Sequence, residues 1–207
     1  MTGSRSRIPG HIERVGIFGG SFDPIHLGHL ILAEAALESL DLDRIIFIPA
    51  ALSPLKTGEP PMASATQRLE MIRLAIQGES RFSVDDRELL RSAPSYTIDT
   101  VQSLLGDYPG VRFIYLIGTD HLKNFGKWHH VEELKNLVDF AVLDRGNSEM
   151  SQACDFPVVS RRIDLSSTEI RNRRASGLSI RFMVPREVYE FIMTEDIYRP
   201  TCSHGQS

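Results

Sequence analysis

The sequence predicts one α/β domain, with a mostly parallel sheet and helices on both of its faces. Short apolar runs recur along the chain and read as strands buried on both sides. Between them lie stretches whose apolar residues fall three or four apart, the spacing of one helix face. The 207 residues are also the length of one or at most two domains.

The elements follow in order. Residues 1–12 are polar, with Arg5 and Arg7 and no apolar run behind them, and read as a disordered lead rather than a signal peptide. Residues 15–18 are a buried strand closed by Gly19 and Gly20. Residues 28–40 are a helix with Leu30, Ala33, Leu37 and Leu40 toward the core, and Pro24 near its first turn. Residues 45–48 are a second strand, stopped by Pro49. Residues 65–76 form a helix carrying Leu69, Ile72 and Ile76, and residues 82–85 a third strand. Residues 97–105 read as a helix and Pro109-Gly110 as a turn. Residues 113–117 are the clearest central strand, ending at Gly118. Residues 140–143 are another strand, and Val158-Val159 is an edge. A Ser/Thr-capped helix spans 167–176 and is closed by Gly177. A last helix spans 185–195, with Pro185 at its first position. The domain therefore covers 13–198, and 199–207 is a loose tail.

Leu, Ile, Val and Phe total 60 of the 207 residues, well above the share that marks disorder, so the chain can bury a core. The net charge of −4 leaves no basic field for a long nucleic acid or an anionic membrane. An anionic ligand must then be held by local groups. Cys154 and Cys202 build no disulfide framework and sit in no CxxC, which fits a reducing, cytoplasmic setting. No run approaches the length of a membrane span. Assembly into a homo-oligomer is left open.

In a parallel sheet the ligand crevice lies beyond the carboxyl ends of the strands, the Rossmann-like arrangement. There the chain reads Gly19-Gly20-Ser21-Phe22-Asp23-Pro24-Ile25-His26-Leu27-Gly28-His29. Two glycines let the backbone turn sharply against a ligand, and the helix start that follows offers free N–H groups to an anion. This is neither a P-loop nor a Gly-x-Gly-x-x-Gly turn. His26 and His29, three apart, would share one helix face near that start. An imidazole there donates a hydrogen bond to phosphate, and as imidazolium adds charge. The pair would equally be half a zinc site, but no Cys or His stands at finger spacing. Near the other end, Ser166, Ser167 or Thr168 caps a helix whose first turn carries Glu169, with Arg171 one turn on.

These two segments together resemble the HxGH nucleotidyltransferases. With Ser95-Tyr96-Thr97, Gly118-Thr119-Asp120 and Trp128 between them, the chain is similar to the bacterial nicotinate (nicotinamide) mononucleotide adenylyltransferases over about residues 15–198. The resemblance implies adenylyl transfer from ATP to nicotinate mononucleotide, giving deamido-NAD and pyrophosphate. It implies that His26, His29 and Arg171 are catalytic. It implies that Gly19, Gly20, Ser21, Phe22, Gly28, Gly118, Asp120, Ser167 and Thr168 join them around ATP, with Asp120 on ribose. Lys56, Thr97, Trp128 and Arg145 would bind the acceptor, Trp128 stacking on the pyridine. Leu55 stands where the family has His before Lys56. Mg²⁺ would be carried by the ATP phosphates, with no dedicated protein ligands. Other readings are a transferase acting on nicotinamide mononucleotide or phosphopantetheine, or a non-catalytic nucleotide sensor.

Overall fold

A computed structural model of the chain describes residues 12–51, 60–92, 94–146 and 155–199. The lead up to residue 11, the tail from residue 200, Leu55, Lys56 and both cysteines lie outside the described residues. The strands are β1 (Arg14–Gly20), β2 (Arg44–Pro49), β3 (Phe82–Val84), β4 (Arg112–Gly118), β5 (Asp139–Asp144) and β6 (Val158–Ser160). They form one sheet in the order β3-β2-β1-β4-β5-β6. Each adjacent pair is parallel, so among the described residues the sheet is wholly so. The chain steps outward from β1 to β3, then returns to place β4 on the other side of β1. That reversal opens a crevice past the carboxyl ends of β1 and β4.

The helices are α1 (Leu27–Ser39), α2 (Ala65–Ala75), α3 (Thr97–Asp107), α4 (Thr119–Leu122), α5 (Val131–Leu137), α6 (Ser167–Ala175) and α7 (Arg186–Thr194). Side chains alternate across the sheet, which divides the core in two. Val15 and Ile17 of β1 and Phe113 and Ile117 of β4 pack on Val101 and Leu104 of α3 and Leu134 of α5. Phe18, Ile114 and Leu116 face the other way, onto Leu32 and Ala36 of α1, Ile72 of α2, Ile170 of α6 and Val188 of α7. Helix α2 starts on a reciprocal cap, in which Ser64 Oγ accepts from Gln67 N and Gln67 Oε1 accepts from Ser64 N.

Two local expectations are corrected. Pro24 precedes α1 rather than sitting in its first turn, because His26 is the N-cap, with extended backbone. Pro185 is the N-cap of α7, one place before its first helical residue. The sequence reading assigns no element between Gly118 and residue 140. That stretch holds α4, a 3-10 turn at Phe125–Lys127 and α5. Helix α4 is four residues long, and α5 buries only Leu134, so neither imposes an apolar period on the sequence.

Candidate active site

The turn after β1 is held from three sides. From α2, the buried Arg68 donates through Nη1 to the carbonyls of Ser21 (2.6 Å) and Ala50 (2.9 Å), tying the ends of β1 and β2 together. Phe22 takes a left-handed φ of 46°, a strained conformation for an aromatic residue, and packs edge-on against Phe18, Phe47 and the His29 ring. Asp23 is buried, and its carboxylate accepts from Met62 N (2.8 Å), Ala63 N (3.0 Å) and the Tyr198 hydroxyl (2.8 Å). With those lone pairs taken, Asp23 is a structural anchor rather than a base. From α6, Arg171 Nη1 donates to the Asp23 carbonyl (2.8 Å), Arg171 Nη2 to Thr168 Oγ1 (3.2 Å), and Ser167 Oγ to the Pro24 carbonyl (2.9 Å). Ser166 is the cap of α6, accepting from Glu169 N. The two ends of the chain are therefore locked onto one turn.

His26 and His29 come together, but not as two positions along a helix. The N-cap ring of His26 stacks on His29 at 3.7 Å between centroids, and His26 N–H donates to His29 Nδ1 at 3.2 Å. That bond leaves Nε2 as the protonated nitrogen of neutral His29, a hydrogen-bond donor. Gly28 allows the stack, since a Cβ there would lie 3.0 Å from the His26 ring and 3.2 Å from Ile163. His26 is fully buried and, among the described residues, neither ring nitrogen has a hydrogen-bond partner. Burial, helped by Arg145, pushes His26 down to about 3. Burial, then His26, then Arg145 hold His29 well below its ordinary value. Both rings are neutral at pH 7, so the added imidazolium charge expected from the sequence is corrected. The amide of Leu27 at the helix start is also occupied, donating to Met183 O at 3.1 Å.

Two chambers open at the crevice. The first, about 430 Å³, is lined by Gly19, Gly20, Ser21, Phe22, His29, Gly118, Asp120, Ser167, Thr168 and Arg171. It brings together His29 and Arg171, from opposite ends of the sequence. His26 and Gly28 do not line it; they support His29 from behind. The second, about 350 Å³, is lined by Thr97 and Trp128 together with Glu88, Ser95, Tyr96 and Tyr115. Gly19, Gly20, Ser21, Ala50, Gly118 and His121 border both. Trp128 is half-buried, edge-on to Tyr115 and Phe125, and its indole N–H has no hydrogen-bond partner among the described residues.

Arg145 is not with Trp128, contrary to expectation. It lines the first chamber and donates to Leu165 O at 3.1 Å, because β5 ends beside the entry to α6. Lys56 lies outside the described residues. Sequence reasoning missed Arg68, whose signal is a charge on the apolar face it shares with Met71 and Ile72. It also missed Glu88 and Tyr115, which lie inside a loop and a strand and carry no motif.

A family profile described as cytidylyltransferase-like matches residues 17–173, which take in the β1 turn, both chambers and Arg171. The chain belongs to the cytidylyltransferase-like family. Among its curated relatives, a probable nicotinate-nucleotide adenylyltransferase of Herpetosiphon aurantiacus is 40% identical over 90% of this chain and 99% of its own. One of that description from Methylacidiphilum infernorum is 43% identical over 90% and 93%. Among solved structures, a Plasmodium falciparum nicotinic acid mononucleotide adenylyltransferase complexed with NaAD aligns with TM-score 0.69 and 19% identity, over 90% of this chain and 97% of its own. A putative nicotinate-nucleotide adenylyltransferase from Vibrio parahaemolyticus gives 0.67 at 22% identity, over 91% and 97%. At those identities the likeness speaks to the fold. Among the described residues no three His, Cys, Asp or Glu side chains gather as a metal site, and no helix is long and apolar enough to cross a membrane.

Proposed function

We propose that the protein transfers an adenylyl group from ATP, taken as its magnesium complex, to the 5′-phosphate of nicotinate mononucleotide, forming deamido-NAD and releasing pyrophosphate. The observation that carries this is the pair of chambers meeting over Gly19 and Gly118. One is lined by arginines, hydroxyls and a histidine N–H, the other by an indole and a threonine. The names carried by relatives about 40% identical over nearly their whole length support it.

The chemistry asks little of side chains. An oxygen of the acceptor phosphate attacks the α-phosphorus, and the bond from that phosphorus to the β-bridging oxygen breaks. The acceptor is already an anion, so no base is needed. The protein's task is to hold two repelling phosphates in line and to meet the charge that grows on pyrophosphate. His29 Nε2–H, Arg145 and Arg171 face that charge in the first chamber, beside the α6 N-terminus at Ser167 and Thr168. Asp120, past the end of β4, suits the ribose hydroxyls of ATP. Thr97 and Trp128 receive the pyridine ring. Magnesium enters with the triphosphate, held by phosphate oxygens and water. The reading puts the protein in the cytoplasm, supported by two cysteines outside any CxxC pattern.

The test is pyrophosphate release with ATP and Mg²⁺ against nicotinate mononucleotide, nicotinamide mononucleotide and phosphopantetheine. The acid pyridine nucleotide should be the best acceptor. Release driven by phosphopantetheine alone would replace this reading with the other transferase, and no release with any acceptor would leave a nucleotide sensor.

A further inference from the structure

We propose that Glu88 is a specificity-determining residue of the second chamber: its carboxyl group sets how well the chamber takes an acidic pyridine relative to the corresponding amide. The inference rests on the acceptor proposed above. Among the described residues lining the second chamber, Glu88 is the only one with a carboxyl group. It is 9% exposed, and Thr100 Oγ1 donates to its Oε1 at 2.8 Å. Arg91 in turn donates to Thr100 Oγ1 at 2.9 Å, so the Glu88 side chain is fixed from α3 and from its own segment.

A carboxyl group here has two opposite effects on a pyridine carboxylate. Ionised, it places a second negative charge in the same enclosed space. Protonated, it can donate a hydrogen bond to that carboxylate. A carboxamide carries no charge and is nearly indifferent to the change. Burial pushes Glu88 up to about 7, so the switch falls within the range an assay can cover. The charged groups around it are Asp85 and Arg91 on its own segment and Asp99 on α3, with Tyr115 facing it from β4. His121, Lys127 and His129 line the same chamber. Arg91 favours the ionised form, the two aspartates oppose it, and burial outweighs them all.

The experiment measures KM for nicotinate mononucleotide and for nicotinamide mononucleotide at about pH 6 and about pH 8, on either side of the Glu88 switch. Both substrates carry the same phosphate, so its titration cancels in the ratio of the two KM values. In wild type the acid-to-amide ratio should rise with pH by on the order of tenfold, the factor that corresponds to one pK unit of coupling. Glu88→Gln keeps an oxygen to accept from Thr100 and removes the charge. It should flatten the rise and lower the acid KM at the higher pH. The chamber histidines are present in both proteins, so the difference isolates Glu88. Thr100→Val removes the hydrogen bond that favours ionisation and should move the midpoint of the rise to higher pH. A ratio in Glu88→Gln that follows wild type at both pH values, or a midpoint unmoved by Thr100→Val, overturns the proposal. Wild type that uses neither pyridine nucleotide would instead defeat the acceptor assignment itself.

Discussion

The stacked histidines make a stability prediction that follows from their burial. In the unfolded chain each titrates near 6.5, whereas in the folded protein His26 is pushed down to about 3 and His29 well below 6.5, both chiefly by burial. The unfolded state therefore binds protons that the folded state refuses, and stability must rise with pH. The contribution is present above pH 6.5 and is lost as pH falls toward 3. At pH 7.5 His26 costs under about 0.1 kcal/mol and at pH 5.5 about 1.4 kcal/mol, and His29 adds to the loss in the same direction. Glu88 works the other way. Raised from 4.5 to about 7, it contributes stability below pH 4.5 that is lost as pH rises through 7, so moving from pH 7.5 to 5.5 returns about 2 kcal/mol. In wild type alone the two effects therefore oppose each other. The assay is urea unfolding at the two pH values for wild type and for His26→Asn/His29→Asn, in which Asn Oδ1 can replace the Nδ1 acceptor. Glu88 is common to both and cancels. Wild type should lose at least about 1.4 kcal/mol more than the variant, about half a molar or more in urea midpoint. Equal losses in the two proteins would show that the rings are charged or open to water, and the neutral-donor account of the site would fall.

Trp128→Ala should raise the acceptor KM by about ten- to a hundredfold, the worth of one ring-on-base stack, and leave the ATP KM nearly unchanged; equal rises in steady-state assays would make Trp128 a packing residue only. Arg171→Lys cannot reach both the Asp23 carbonyl and Thr168, so kcat/KM for ATP should fall by about a hundredfold. Arg68→Met removes the Arg68 donor from the part-buried carbonyls of Ser21 and Ala50 and should cost about 1–3 kcal/mol in chemical denaturation, with turnover falling alongside. A Cβ at Gly19 would lie 2.6 Å from the Tyr115 hydroxyl, so Gly19→Ala should impair turnover and Tyr115→Phe should restore part of it in the double variant.

The sheet was legible because a strand covered on both faces has nowhere to put polar side chains. Residues 45–48 and 113–117 could hardly be anything else. The β1 turn and the α6 start were legible because their residue types have narrow uses: paired glycines, a cap, an arginine one turn on. What stayed hidden depends on neighbours that are remote in sequence. Arg145 follows a strand end, which was readable. Whether that end faces the Trp128 chamber or the α6 start depends on strand order, and local pattern does not carry that. Asp23 looks like any turn aspartate until Tyr198 and the amides of Met62 and Ala63 close on it. The neutrality of His29 was hidden for the same reason, since Phe18 and Phe22, which pack on its ring, stand ahead of its own helix.

A chain of net charge −4 must still hold a polyanion, and the neutrality of the histidines explains how it does so without destabilising itself. Two imidazolium rings stacked at 3.7 Å would repel by several kcal/mol even at a protein-like dielectric of about 20, with no anion present to offset it. The fold instead puts permanent charge on Arg145 and Arg171, which are anchored to the carbonyls of Leu165 and Asp23. The Asp23 carboxylate would draw Arg171 inward, and at 3.8 Å from Nη1 it does so in part. Two backbone amides and a tyrosine hydroxyl take most of its hydrogen-bonding capacity, which leaves the guanidinium free to line the chamber. His29 then acts as a fixed dipole, its Nε2–H aimed by the bond at Nδ1 and costing no reorganisation when charge develops. The acid side of the turnover profile should follow the phosphates of the substrates rather than these rings, because burial holds both imidazoles neutral well below their ordinary range.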